Sequence, residues 1–413
     1  MTEQLNLVPK RRFKEFQNTQ AWEQRNWEET VDISTNMVDP RTGSYDELLH
    51  IGPGNIESFT GRILDNVLKV KDSNLISGKF HFYKDDIIYG KIRPQLGKYA
   101  IAPFEGLASA DTYILNTKNG VVQNFLYSVL QTNDFYGYSV SVSARTGMPK
   151  INRDELNVYN YNAPKMEEQA KIGYFFVELD QLITLHQRKL EKTKALKSAY
   201  LSEMFPAEGE CEPKRRFAGF SYPWERRQLG DMGEPFTGLS GKTKEDFGHG
   251  SAEFVIYMNV FSNPISDTSM TEHVEVDSKQ NELKYGDVLF TTSSETPQEV
   301  GMSSVWLGNR PNVYLNSFCF GYRPTVNVDF LFLAYLLRSN TVRKQMMLLA
   351  QGISRYNISK NKVMELAVGL PDIQEQEKIG NLFKHLDHTI ALHQRKLEKL
   401  QNLKKAYLNE MFI

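Results

Sequence analysis

Only two cysteines, Cys211 and Cys319, occur among 413 residues, far apart and outside any CxxC or Cys/His cluster. That excludes a disulfide framework and a structural zinc site. No run approaches the roughly 18 apolar residues that a membrane-spanning helix needs, and the opening MTEQLNLVPKRRF has no apolar signal core. A cytoplasmic chain with no membrane partner is expected. Charge of one sign is also missing: 49 Lys and Arg against 50 Asp and Glu leave a net charge of −1, so any basic surface must be local.

Catalytic signatures are equally scarce. There is no GxxxxGK[ST] phosphate loop, no GxGxxG turn, no HExxH and no Asn/Asp-Pro-Pro-aromatic motif of the amino-methyltransferase kind; Asn263-Pro264-Ile265-Ser266 is not that motif. A metal-dependent nuclease centre would show an acidic pair followed by Glu-x-Lys, and in the segment Pro371 to Lys378 the lysine stands one step out of place. No spacing marks a Ser/His/Asp triad. The expectation is a chain without a catalytic site, metal or cofactor of its own.

What is present is apolar material, 40% hydrophobic and 12% aromatic, in a chain longer than one core usually supports. Two or more domains follow. An internal duplication organises them: EQAKIGYFFVELDQLITLHQRKLEKTKALKSAYLSEMF, Glu168 to Phe205, recurs as EQEKIGNLFKHLDHTIALHQRKLEKLQNLKKAYLNEMF, Glu375 to Phe412, without a gap at an offset of 207. About 25 of the 38 aligned positions are identical. Weaker echoes extend it to the whole half: Pro9-Lys-Arg-Arg-Phe13 with Trp22-Glu23 returns as Pro213-Lys-Arg-Arg-Phe217 with Trp224-Glu225. KDDIIYG (84–90) answers YGDVLFT (285–291), and FLYSVLQTN (125–133) answers FLAYLLRSN (332–340). Residues 28–150 and 231–355, by contrast, have diverged almost beyond alignment. Two different readers sit on one common frame.

In the repeated tails, apolar positions step by four and three through Ile172, Phe176, Leu179, Ile183, His186, Leu190, Thr193, Leu196, Tyr200 and Met204, and again from Ile379 to Met411. This is the period of a coiled-coil seam, so each tail reads as a helix reaching roughly 57 Å. The simplest partner for each is the other copy, packed antiparallel. His186 and His393 read as seam fillers, with a metal or proton-relay role as the alternative. The run HQRKLEK reads as a solvated face or a phosphate contact. For Lys10, Arg11, Arg12 and Lys214, Arg215, Arg216 three readings stand: solvated tail, docking of a partner, or phosphate contact.

The diverged regions alternate short aromatic-rich strands with Gly, Pro, Asn and Ser, then turn helical near 121–135 and 328–350. The predicted Asp-Ile-Ile and Asp-Val-Leu strands run straight into polar loops. The first loop carries Lys91, Arg93, Gln95 and Lys98; the second carries Thr291, Thr292, Ser293, Ser294, Glu295 and Gln298. A further loop pair places Arg145 and Lys150, and Arg355, Tyr356 and Asn357, near the end of each domain. Arg and Lys suit guanine edges or phosphates, whereas Gln, Ser, Thr and Glu suit adenine or cytosine edges. If both sets face DNA, they read different sequences.

The order of these features, twice over, resembles the specificity subunit of type I restriction–modification systems. A Trp-Glu entry, an Asp-hydrophobic strand with its polar loop, the proline then Glu-Gln at Pro164 to Gln169 and Pro371 to Gln376, and long helices ending Leu-x-Glu-Met-Phe carry the resemblance. It implies a mixed α/β fold, with two target-recognition domains (1–165 and 206–371) joined by two long antiparallel spacer helices (166–205 and 372–413). Each domain would read one half of a split, asymmetric site in double-stranded DNA. The same resemblance implies a non-catalytic chain that recruits two methyltransferase subunits, which use S-adenosylmethionine to methylate adenine. Motor–nuclease subunits using ATP and Mg would join for cleavage. A two-headed protein-binding scaffold is the alternative, and an unrecognised nuclease a third.

Overall fold

The structure is a computed structural model describing residues 7–144 and 147–413. It divides into two compact units, Met1–Lys189 with His393–Ile413, and Leu190–Leu392. The two are built to one plan.

In the first unit a four-stranded antiparallel sheet runs in the order Val31–Ile33, Thr112–Thr117, Ile87–Gly90, Tyr99–Ile101. In the second the order Gly233–Thr237, Cys319–Pro324, Val288–Thr291, Ser303–Val305 repeats it. The central strand of each is an uninterrupted apolar run because both of its faces are covered. Ile87 and Tyr89 point into one core and Ile88 into another, as do Val288 and Phe290 against Leu289. A second sheet flanks each: five strands in the first unit, where Leu49–Ile51 runs parallel to Gly106–Ala108, and three in the second, where Phe247–Val255 runs parallel to Val313–Leu315. This is a mixed α/β architecture in both.

Each globular part is tied shut by a two-stranded ribbon between its entry and its exit, Glu23–Asn26 with Asn160–Ala163 and Glu225–Gln228 with Ala367–Leu370. The tryptophans before these entry strands, Trp22 and Trp224, are wholly buried. The exit strands lead directly into helices Met166–Glu203 and Ile373–Met411.

Within the first unit the two helices run antiparallel: Phe176 meets Phe412, Asp180 meets Lys404 at 2.5 Å, and His186 meets His393. Within the second, Phe205 stacks on Phe383 and Lys197 reaches Asp387 at 2.5 Å. The expected apolar seam is corrected near its end. Leu196 and Leu403 face solvent, while Lys404 is 7% exposed and salt-bridged inside. A helix drifts about 20° per heptad from a strict seven-residue repeat, enough over three heptads to rotate a leucine out and a lysine in.

The solvated-tail, docking and phosphate readings of Arg12 and Arg216 are corrected as well. Each guanidinium forks onto a buried carboxylate at the start of its long helix, Arg12 on Glu168 and Arg216 on Glu375. Arg11 and Arg215 pair with Glu410 and Glu203. Cys211 and Cys319 are free thiols.

Candidate nucleic-acid interface

In each unit the two polar loops, about 50 residues or more apart in sequence, come together beyond the end of the central strand. In the first unit Ile92 forms an antiparallel bridge with Lys150, Arg93 donates its backbone N–H to the Pro149 carbonyl (2.8 Å), and Ile151 donates to the Lys91 carbonyl (3.0 Å). In the second, Ser293–Ser294 pairs with Tyr356–Asn357, and Ile358 donates to the Thr292 carbonyl at 2.9 Å. The Ile151 and Ile358 bonds are counterparts. The same junction therefore carries different side chains in each unit.

The first junction is cationic. Lys91 lies 5.2 Å from the centroid of the Tyr113 ring, and Arg153, which the sequence reading missed, approaches the same ring at 5.6 Å while capping the carbonyls of Ile33 and Ser34. Burial, and then the neighbouring charge of Lys150, pull the Lys91 ammonium below its ordinary value. Arg93 and Gln95 are exposed, Arg93 on left-handed backbone (φ +52°). Lys98 is a correction: its ammonium turns inward onto the Ile56 carbonyl. Arg145 lies outside the described residues.

The second junction is mixed in charge. Glu295, Gln298, Arg355 and Asn357 are exposed, and Tyr356 is half-buried. The hydroxyls proposed beside them are corrected. Thr291 is wholly buried and accepts the Met302 N–H at 3.0 Å, and Thr292 donates to the Phe318 carbonyl at 2.7 Å. Ser293 and Ser294 are buried in the strand pairing. Sequence shows hydroxyl chemistry but not the direction in which a strand-edge hydroxyl points.

Both loops are held from behind by the same helix position. Tyr136 donates to the Gln95 carbonyl (3.4 Å) in the first unit. Arg343, its counterpart in the second, donates to the carbonyls of Gln298, Val300 and Gly301 at 2.6–2.8 Å. Burial lowers the Arg343 guanidinium to about 10. Among the described residues no cluster of three or more His, Cys, Asp or Glu is arranged to hold a metal ion, and no helix is long and apolar enough to cross a membrane.

Two rigid frames presenting divergent loop junctions define a two-headed recognition protein. Residues 22–195 and 222–402 each match the type I restriction modification DNA specificity domain, and the chain belongs to that family. It is similar to the type I restriction enzyme EcoDI specificity subunit of Escherichia coli, 29% identical over 209 residues, 48% of this chain and 46% of that protein. The match therefore spans about half the length of that relative. It is also similar to the MjaVIII specificity subunit of Methanocaldococcus jannaschii, 20% identical over 318 residues, 74% of this chain and 73% of that one. A crystal structure of the type I restriction-modification S subunit from M. genitalium superimposes with a TM-score of 0.62 at 14% identity, covering 98% of this chain and 99% of that one. That likeness establishes a shared fold.

Proposed function

We propose that this chain is the sequence-reading subunit of a type I restriction–modification enzyme, with each unit recognising one half of an asymmetric, split site in double-stranded DNA. The observation that carries the reading is the conserved junction with exchanged side chains: one backbone arrangement presents Lys91, Arg93 and Lys150 in the first unit and Glu295, Arg355 and Asn357 in the second. A frame kept constant while its tips diverge is what two half-sites require. The chain itself performs no chemistry on this reading. It works in the cytoplasm and directs adenine methylation by two methyltransferase subunits that bind S-adenosylmethionine. Cleavage is directed through motor–nuclease subunits that use ATP and Mg. Net charge of −1 fits a reader whose partners supply part of the positive surface around DNA, so the isolated chain binds weakly and with steep salt dependence.

The test is per-site methylation of DNA exposed to this chain with its candidate methyltransferase partner, against the partner alone. Methyladenine at one split motif with a fixed gap is the expected result, and replacing residues 28–150 should change one half-site only. Association of the two proteins without motif-dependent methylation would favour a protein-binding scaffold instead.

A further inference from the structure

In the second unit a cavity of about 450 Å³ opens between the helix Tyr257–Ser262 and the paired loops around 293–299 and 354–357. That size is within the range of small-ligand pockets. One wall is aromatic: the rings of Tyr257 and Phe261 lie near-parallel, 19° apart with centroids separated by 6.0 Å. The remaining lining is rich in acceptors. Glu299 takes hydrogen bonds from Thr296 (2.8 Å) and Ser294 (3.3 Å) on one oxygen, and the Glu295 carboxylate meets no donor among the described residues. The Tyr257 hydroxyl is already committed, donating to the Ser293 carbonyl at 2.6 Å.

Two half-buried arginines fix these walls. Arg338 donates to the carbonyls of Val260, Phe261 and Asn263 behind the aromatic helix and to Ser303. Arg343 holds the loop that carries Glu299, through Gln298, Val300 and Gly301. Neither forms an ion pair among the described residues. Burying a guanidinium on carbonyls alone is an expensive way to position a loop. The outlay here converges on the two sides of one cavity, and that marks the cavity as built.

We propose that this cavity receives the major-groove edge of one base bearing an exocyclic amino group, adenine or cytosine, in the half-site read by the second unit. The inference rests on the DNA-reading function proposed above. A carboxylate accepts from cytosine N4 or adenine N6, whereas guanine turns two acceptors, N7 and O6, toward the groove and is repelled. Two carboxylates against the single Arg355 also disfavour a phosphate as the occupant. The stacked aromatic wall supplies a flat apolar face beside them, and Arg355, which also lines the cavity, supplies a donor for adenine N7.

The experiment uses the full chain reconstituted with its methyltransferase partner, reading methylation at every site of a genomic DNA. Failure of the wild-type enzyme to show any split motif would defeat the underlying function, before any variant is made. Given a motif, Glu295→Ala and Glu299→Ala, which remove the acceptor altogether, are each expected to weaken discrimination at one adenine or cytosine position by about tenfold, leaving the other half-site and the gap unchanged. Synthetic duplexes with purine in place of adenine, or 2-pyrimidinone in place of cytosine, at that position then show which base donates. An unchanged motif with both variants would overturn the assignment, and so would a uniform fall in methylation that singles out no position.

Discussion

The guanidinium of Arg12 grips the carboxylate of Glu168 through two bonds of 2.6 Å, with 5% and 2% of the two side chains left in contact with solvent. Arg216 and Glu375 repeat the fork at 2.7 and 2.8 Å. Each pair pins the segment before a globular part to the first turn of the long helix after it. In each case the arginine also reaches backbone carbonyls of its own segment: Thr19 and Gln20 for Arg12, and Tyr222 for Arg216.

Removing one partner strands a buried charge, so Arg12→Ala or Glu168→Gln is expected to cost about 3–5 kcal/mol in the first unit. Urea unfolding with a reporter in each unit measures it. The double variant should recover part of the loss, because the orphaned charge is what costs most. A change below about 1 kcal/mol would mean that the fork is screened like a surface pair.

Mild acid should destabilise the first unit. His186 Nδ1 lies 3.0 Å from His393 Nδ1, so one ring donates and the other accepts, and the contact cannot survive with both rings protonated. Burial, then the charges of His393, Lys396 and Lys189, pull His186 below its ordinary value. Burial, then Lys79, takes His50 down to about 4, and its Nε2 has no partner among the described residues. A histidine with a lowered folded pKa holds fewer protons folded than unfolded. Stability is therefore complete above the ordinary value of 6.5 and lost as pH falls through 6.5 toward the folded value. The strongly lowered carboxylates, Asp39, Glu47 and Asp277 at about 2, titrate beneath this window. Urea midpoints should fall between pH 7.5 and 5, and His186→Gln or His50→Gln should flatten part of that fall.

The repeated helices were legible because alternating four-and-three steps over most of a 38-residue segment admit few other structures, and the strands before the polar loops because a buried two-faced strand must be continuously apolar. The convergence of each loop pair was not legible. Lys150 and Ile92, or Tyr356 and Ser294, meet through strand topology, which local pattern does not specify. For the same reason the sequence leaves Arg12 between solvated tail, partner docking and phosphate contact: its carboxylate stands 156 residues away. Thr291 and Lys98 were misjudged on orientation, since chemistry alone does not tell an outward hydroxyl or ammonium from one turned onto a carbonyl. Arg153 had a weak signal in its position three residues after Lys150, and Tyr136 and Arg343 had none beyond their shared offset of 207.

Exposed Arg93 and half-buried Lys150 of the first junction should govern affinity more than sequence choice. Arg93→Ala and Lys150→Ala are expected to weaken binding by the assembled enzyme across all sequences, each lowering the slope of log K against log[salt] by about one if the contact is to phosphate. If Arg93 instead contacts a guanine, its loss should cost about 1–3 kcal/mol at one base position and leave the slope nearly unchanged. Binding titrations at several salt concentrations separate the two.

Arg343 should be a positioning residue whose loss is felt in one half-site. Arg343→Met keeps the volume of the stem but leaves three carbonyls, those of Gln298, Val300 and Gly301, without their donor. A buried acceptor left unmet costs about 1–3 kcal/mol, and partial relaxation of the loop should bring the total to about 2–4 kcal/mol in the second unit. Arg343→Lys should recover only part, since an ammonium cannot present a planar fork to three separate carbonyls. Tyr136→Phe, which deletes one long bond of 3.4 Å, should cost less than about 1 kcal/mol and calibrate the series. Per-site methylation by the reconstituted enzyme is the deciding readout: Arg343→Met should relax the half-site of the second unit and leave that of the first intact. Equal relaxation of both halves would show that the arginine stabilises the chain without placing the loop.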